Sequence, residues 1–305
     1  MKKKVIKICS VAIIAAIVLA ITAYLAALFF YRPSYVKSTD TFDVAETAYG
    51  EEITVMSFNV RYMDIFDCGK KSWYYRAGLV LGTIKEEQPD VIGFQEMTTT
   101  HEQYLTERLK GYAFACEYRD NSAMKEATAI AYRTDRFELK EKGHFWLSKT
   151  PEAQSKDWGA EKCRDANYVV LKEKNTGKEF AYFNTHLDAR SEEARINGAK
   201  VLINKANEFD MPKIITGDFN DKEGSETYGY VTEQAGFSDA RIIAERATLS
   251  KENTTYTGYG KAKDMRIDYL FAKDGVTVKS YKENDEKPGG DYPSDHYPLV
   301  VKIAL

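Results

Sequence analysis

Six short stretches of this chain pair an apolar run with a residue able to bind or move charge. Asn59 closes TVMSFN, Glu96 closes VIGFQE and His186 closes FAYFNTH. Asp218 and Asn220 follow KIIT, Asp268 lies at the start of IDYLF, and Asp295–His296 stand before YPLVV. Sites in sheet proteins gather at strand ends and the loops beyond them, so six such places in one chain read as one constellation. Alone, each has a plain structural meaning: Asn59 and Asp218–Asn220 suit turns, and Glu96 suits the first turn of a helix. Together their types point to phosphoester chemistry. Mg2+ or Mn2+ takes carboxylate oxygens, here from Glu96, Asp268 or Asp295, alongside water and phosphate oxygens. Asn59 and Asn220 hydrogen-bond without adding charge. A histidine beside a carboxylate can change charge near neutral pH, and of the four histidines in the chain His186 and His296 lie in these stretches. No HExxH, P-loop, GxSxG or GxGxxG stretch competes.

The elements that must position these residues are legible in part. Ile53–Val60 reads as a strand, and 72–88 as a helix with Ser72 as cap and Pro89 beyond its end. DVIGFQEM suits a buried strand, and His101–Lys110 a helix stopped by Gly111. Strand-like runs follow at 112–118, 128–133, 137–147, 167–174 and 179–187. Ser191–Phe209 is the clearest helix; KIITGDFN, a helix near 224–235 and strands near 267–272, 275–281 and 298–304 complete the chain. Helical crossovers mixed with hairpins predict an α/β (α+β) fold: two mixed sheets packed face to face with helices outside.

In this order, SFNVR, GFQEM, FNTHLD, TGDFN, RIDYLF and SDHYPL resemble the motif set of the endonuclease/exonuclease/phosphatase superfamily. The resemblance spans about residues 51–305, and GHFWLSKTP and LDARSEEAR look most like its bacterial members. It implies a four-layer sandwich, a divalent metal (Mg2+ or Mn2+) and in-line attack of water on phosphorus. By position, Glu96 resembles the main metal ligand, with Asn59 and Asp295 nearby. Asp218 resembles the residue that orients or deprotonates water, and Asn220 a phosphate binder. His296, held by Asp268, and His186 resemble the phosphate-facing histidines, and Glu126 the glutamate that supports His186. Either Asp218 or His296 could be the base. Arg61, Arg164, Tyr168 and Arg190 are the further substrate-contact candidates. The implied activity is phosphodiesterase- or nuclease-like, on nucleic acid, nucleotide or a phospholipid headgroup. The alternatives are a sphingomyelinase-type phospholipase, a phosphomonoesterase and a non-catalytic binding module. A sphingomyelinase-type enzyme calls for an exposed apolar loop near the site, and no long apolar hairpin is visible in the body.

The N-terminus differs in kind. After Lys2, Lys3, Lys4 and Lys7, the run Ile8–Tyr31 carries no charge. That exceeds the roughly 7–15 residues of a signal-peptide core and meets the ~20 a spanning helix needs. The lysines predict a cytoplasmic N-terminus and a body outside the cytoplasm; Ala23, Ala26 and Ala27 keep a cleaved signal and secretion as the alternative. The expected organisation is an anchor at 1–32, a linker at 33–50 and a catalytic domain at 51–305, acting as a monomer. The whole chain carries −3. Without the five basic residues of 1–35, 38 basic residues face 46 acidic, a net of −8. Such a body is a poor electrostatic trap for long nucleic acid. Cys9, Cys68, Cys116 and Cys163 show no metal-binding spacing and read as free thiols, with a Cys68–Cys116 bridge as the alternative.

Overall fold

The computed structural model describes residues 2–37, 39–44 and 49–305. Helix α1 (Lys2–Phe29) runs into the short α2 (Arg32–Lys37). The expected linker lies partly outside the described residues, at 38 and 45–48. Within it, Phe42–Asp43 pairs in parallel with Leu109–Lys110, and Phe42 and Val44 are buried against the body.

Thirteen strands build the body's two main sheets. In chain order they are β1 (Ile53–Asn59), β2 (Val91–Gln95), β3 (Tyr112–Ala115), β4 (Ile130–Arg133), β5 (Phe137–Trp146), β6 (Asp165–Glu173) and β7 (Glu179–His186). There follow β8 (Lys213–Asp218), β9 (Ser238–Asp239), β10 (Ala247–Thr248), β11 (Asp268–Lys273), β12 (Thr277–Glu283) and β13 (Leu299–Ala304). One sheet has the order β10-β12-β13-β1-β2-β4-β3, the other β9-β11-β8-β7-β6-β5. Each centres on a parallel pair, β1/β2 and β7/β8, flanked by an antiparallel β13 or β11. Parallel neighbours require a crossover. Helix α3 (Trp73–Glu87) supplies one and α5 (Glu192–Ala206) the other. Helix α4 (Thr99–Arg108) packs beside α3.

Three apolar clusters fill the spaces between layers. Val55, Val91, Ile130, Val169, Tyr182 and Leu270 lie between the sheets. Val80, Ile84 and Leu105 pack helices on the first sheet, and Leu202, Ile203 and Phe183 pack α5 on the second. This is the expected α/β/β/α sandwich. Near the site end, the inter-sheet layer turns polar: Gln95 Nε2 donates to Asn184 Oδ1 at 2.6 Å, and Asn184 Nδ2 to Phe94 O at 2.7 Å. Gly93 makes that layer possible, since a Cβ there would come within 2.5 Å of Thr216 Oγ1.

The helix expected near 224–235 is present over 226–234, as an α-turn at Glu226–Gly229 that widens into a π-turn at Tyr230–Gln234. Gly229 at the junction is a weak helix former. All four cysteines are free thiols.

Candidate active site

Sheet register does much of the assembly. His186 stands opposite Asp218 on β7/β8, and Asp218 opposite Asp268 on β8/β11. The three side chains thus share one row at one end of the second sheet. From the first sheet, Asn59 ends β1 and Glu96 follows β2. Asn59 Nδ2 joins the two sheets, donating to Glu96 Oε1 at 3.2 Å and to Asp218 Oδ2 at 3.0 Å. Glu96 Oε2 accepts from the Tyr62 backbone N–H at 2.8 Å. Arg61, Glu96 and Asn220 all have positive φ, at 57°, 60° and 50°. Side chains rarely occupy that region, and such strain clusters at functional sites. Asp218 Oδ1 holds the backbone N–H of Asn220 at 2.9 Å, and Asn220 Nδ2 donates to Leu187 O at 3.1 Å.

The two histidines face one carboxylate oxygen. His186 Nε2 lies 3.6 Å and His296 Nε2 3.7 Å from Asp218 Oδ2. Behind it, His296 Nδ1 lies 2.8 Å from Asp268 Oδ2, which fixes the ring so that Nε2 points at Asp218. Their environments push them apart. Burial opposes a charge on His296, but Asp268, Asp218 and Asp295 outweigh it and raise its pKa to about 10. Burial and the cations of Arg164 and Arg119 hold His186 well below its ordinary value. Asp218 is pushed up to about 7 by burial and by Asp268. Glu96 is drawn below the ordinary carboxylate range: burial opposes ionisation, but the Tyr62 N–H, His296 and Arg61 outweigh it. Burial raises Asp295, which sits 3.7 Å from Arg61 Nε.

These groups line a cleft of about 530 Å3. Its opposite wall is cationic. Arg119 pairs with Glu126, and Lys162 Nζ reaches the same carboxylate at 3.5 Å. Arg164 is buried, 3.5 Å from Asp188, and its Nε and Nη1 have no hydrogen-bond partner.

Most of the expected residues therefore converge. Arg61, Glu96, Glu126, Arg164, His186, Asp218, Asn220, Asp295 and His296 line the cleft, with Asn59 and Asp268 hydrogen-bonded to members of that lining. Arg190 lies at the rim, its side chain 76% exposed and paired with Glu161. Tyr168 is not there. It packs on Phe183 and Phe209 under α5, with its hydroxyl on Glu141 Oε1 at 2.7 Å. Successive strand residues point to opposite faces: Asn167 faces inward, bonding Thr128 Oγ1, so Tyr168 turns outward. Glu126 meets Arg119 and Lys162, with no contact to His186 in place of the expected support. Of the two remaining histidines, buried His101 caps α4 through Thr98, and His144 lies within β5, its Nε2 2.9 Å from Asp165 Oδ2. Sequence reading missed Arg119, Lys162, Tyr62 and Tyr256, the last with its ring 5.0 Å from His296. Arg119, Lys162 and Tyr256 sit outside the six strand-end stretches, and Tyr62 lies just beyond the one closed by Asn59.

The donor set fits a hard divalent cation. Glu96, His186 and Asp218 present ligand atoms within 4.8 Å of one another, as do Asp218, Asp268 and His296, and oxygen-rich sets of this kind suit Mg2+ or Mn2+. The profile of the Endonuclease/Exonuclease/phosphatase family matches residues 56–296. The chain belongs to this family. As a family member it is a phosphoric ester hydrolase. An endonuclease/exonuclease/phosphatase from Bacteroides vulgatus superposes with a TM-score of 0.78 at 30% identity, covering 84% of this chain and 100% of that one. A Bacteroides thetaiotaomicron mannosyl-6-phosphatase gives 0.76 at 29% identity, over 83% and 100%. Protein L388 of Acanthamoeba polyphaga mimivirus is 28% identical over 249 residues, 75% of this chain and 91% of the relative.

Proposed function

We propose that this family member hydrolyses a phosphoester by in-line attack of water, assisted by a divalent cation, Mg2+ or Mn2+. The observation that carries the reading is Asp218 Oδ2, met by Asn59 and by both cleft histidines at one point between the sheets. Glu96 and Asp295 would hold the cation, together with Asn59. Bound there, it would supply Lewis-acid polarisation of a phosphoryl oxygen. Asp218, with a pKa of about 7, orients the attacking water and takes its proton; a base poised near the working pH is the efficient choice. His296, kept protonated by Asp268, presents Nε2–H to the phosphoryl oxygens. Neutral His186 and the Asn220 amide complete the donors aimed at the charge developing there. Glu126 fixes Arg119 and Lys162 on the facing wall.

The test is a substrate panel on bis(p-nitrophenyl) phosphate, DNA and RNA, with and without chelator. Turnover that needs Mg2+ or Mn2+ and disappears in Glu96→Ala and His296→Ala is expected. Turnover untouched by either substitution would overturn the assignment.

A phosphomonoesterase is the second reading, favoured by buried Arg164, whose unpartnered N–H groups suit the extra charge of a monoester. The mannosyl-6-phosphatase among the structural neighbours is consistent with it. Faster turnover of p-nitrophenyl phosphate than of the diester would select it.

Among the described residues, Cys9–Ala27 is a candidate span, long and apolar enough to cross a bilayer. With the preceding lysines, this supports a single-pass anchor carrying the body outside the cytoplasm. Secretion after cleavage is the alternative.

A further inference from the structure

The segment Tyr62–Lys71 leaves the cleft edge and returns beside the anchor. Its tip exposes two large apolar side chains, Ile65 at 58% and Phe66 at 78%. The tip is shaped, not slack. Arg61, itself a cleft residue, holds Asp64 at 3.1 Å and Asp67 at 2.9 Å. Asp64 Oδ1 accepts from the Phe66 N–H at 2.9 Å, closing the turn. Lys70 and Lys71 follow, and the Lys70 side chain is 64% exposed. An apolar tip next to basic residues is the composition of a segment that lies in a membrane interface.

The anchor is docked on the neighbouring surface. Phe29 packs on Tyr74 with ring centroids 5.4 Å apart, Tyr31 on Tyr75 at 4.6 Å, and Tyr35 stacks on Tyr104 at 4.9 Å. Lys70 and Tyr75 share Asp291 beside Tyr31. Further along, the shielded Tyr24 hydroxyl lies within Coulomb reach of Asp64, Asp67 and Cys68. Between Phe29 and Tyr24 the helix rises about 7–8 Å. The turn therefore climbs along α1 toward the bilayer, and reaches a residue inside the Cys9–Ala27 span.

We infer that the Ile65–Phe66 turn is a second membrane contact, seated in the bilayer interface beside the anchor and holding the Arg61 edge of the cleft at headgroup level. The inference rests on the anchor reading above. It goes beyond it, since an anchor alone would allow the body to stand clear of the lipid. It also supplies, as a two-residue tip, the exposed apolar element near the site that the sequence lacks as a hairpin.

The full chain, reconstituted into phosphatidylcholine vesicles containing brominated lipid, tests this. Phe66→Trp is expected to be quenched well beyond the parent protein, whose own tryptophans give the background. Phe66→Trp with Ile65→Asp is expected to lose that excess. Retention in the membrane through an alkaline carbonate wash, with no excess quenching, overturns the loop contact and leaves the anchor. Release by the wash overturns both. Turnover of soluble bis(p-nitrophenyl) phosphate is expected to be unchanged in these variants, which separates the result from any failure of the hydrolase assignment.

Discussion

Strand β2 is flanked by a carboxylate at each end, and the two are treated in opposite ways. At its start, Asp90 meets Arg136 Nη1 at 2.8 Å, Arg133 Nη1 at 3.8 Å and the Thr54 N–H at 2.8 Å. Arg136 also binds Glu173 Oε1 at 2.7 Å and the carbonyls of Glu51 and Glu52. Three acids face two guanidinium groups there, since Arg133 also pairs with Asp135 at 2.7 Å, and every nitrogen of Arg136 is bonded. Beyond its other end, Glu96 joins Asp218, Asp268 and Asp295 around two histidines and Arg61, while Arg119 and Lys162 pair with Glu126 and Arg164 with Asp188. In the first cluster each carboxylate is bonded to a guanidinium; in the second, carboxylates converge on one another and on histidines at the cleft. Buried charge alone does not mark a site. Convergence of acids with few guanidinium partners does, because such a set is fully compensated only when something positive arrives.

The sharpest break of this comparison is at the acid-rich end. Glu96→Ala or His296→Ala should lower kcat/KM on a phosphoester reporter by about a thousandfold, with the melting temperature changed by no more than a few degrees. A collapse in stability with normal activity per folded molecule would make this end structural too. At the Asp90 end the outcome should invert. Arg136→Met strands Asp90 and Glu173 and should cost about 3–5 kcal/mol in urea unfolding, while kcat/KM of the folded fraction holds.

Arg164 tests the cationic wall between these extremes. Arg164→Met should lower kcat/KM by about ten- to a hundredfold, the worth of a charged hydrogen bond. Stability should fall less than for Arg136→Met, since Arg164 makes only the 3.5 Å ion pair with Asp188, whose oxygens also accept from the backbone N–H groups of Glu161, Arg190 and Ser191. A weaker effect should appear with pH in chelated protein. Asp218 is raised to about 7, so the folded state keeps a proton that an unfolded carboxylate loses near pH 4. That stability is present below about 4 and is lost as pH rises through 7. His296, raised to about 10, contributes stability that is present below about 6.5 and lost as pH rises through 10. Melting temperatures in chelator should therefore fall between pH 5 and 9, and Asp218→Asn should flatten the first part of that decline. At the rim, Arg190→Ala should change kcat/KM by less than about threefold, given how little an exposed ion pair contributes.

The fold was largely legible in the chain, because apolar runs of strand length alternating with two strong helices leave few layered solutions. Asn59, Glu96, His186, Asp218 and His296 were legible because each sits at the end of such a run. Tyr168 was misjudged since a single step along β6 swaps one face of the sheet for the other. Arg119 and Lys162 left no local trace; they reach the cleft from loops whose path depends on Glu126. The widening of the 226–234 helix from α- to π-type turns was hidden because helix propensity does not distinguish one hydrogen-bond spacing from the other.

By itself the sequence determined the residue types, the strand ends that carry them and the uncharged N-terminal helix, since these follow from local periodicity and composition. Only the tertiary structure decided that β7, β8 and β11 run in a register that aligns His186, Asp218 and Asp268. It also decided that Asn59 bridges to them from the other sheet, and that the acids at one end of β2 bond guanidinium groups while those at the other converge on histidines. Those outcomes depend on contacts between residues distant in the chain. No local pattern encodes them, because they are settled by which surfaces pack together.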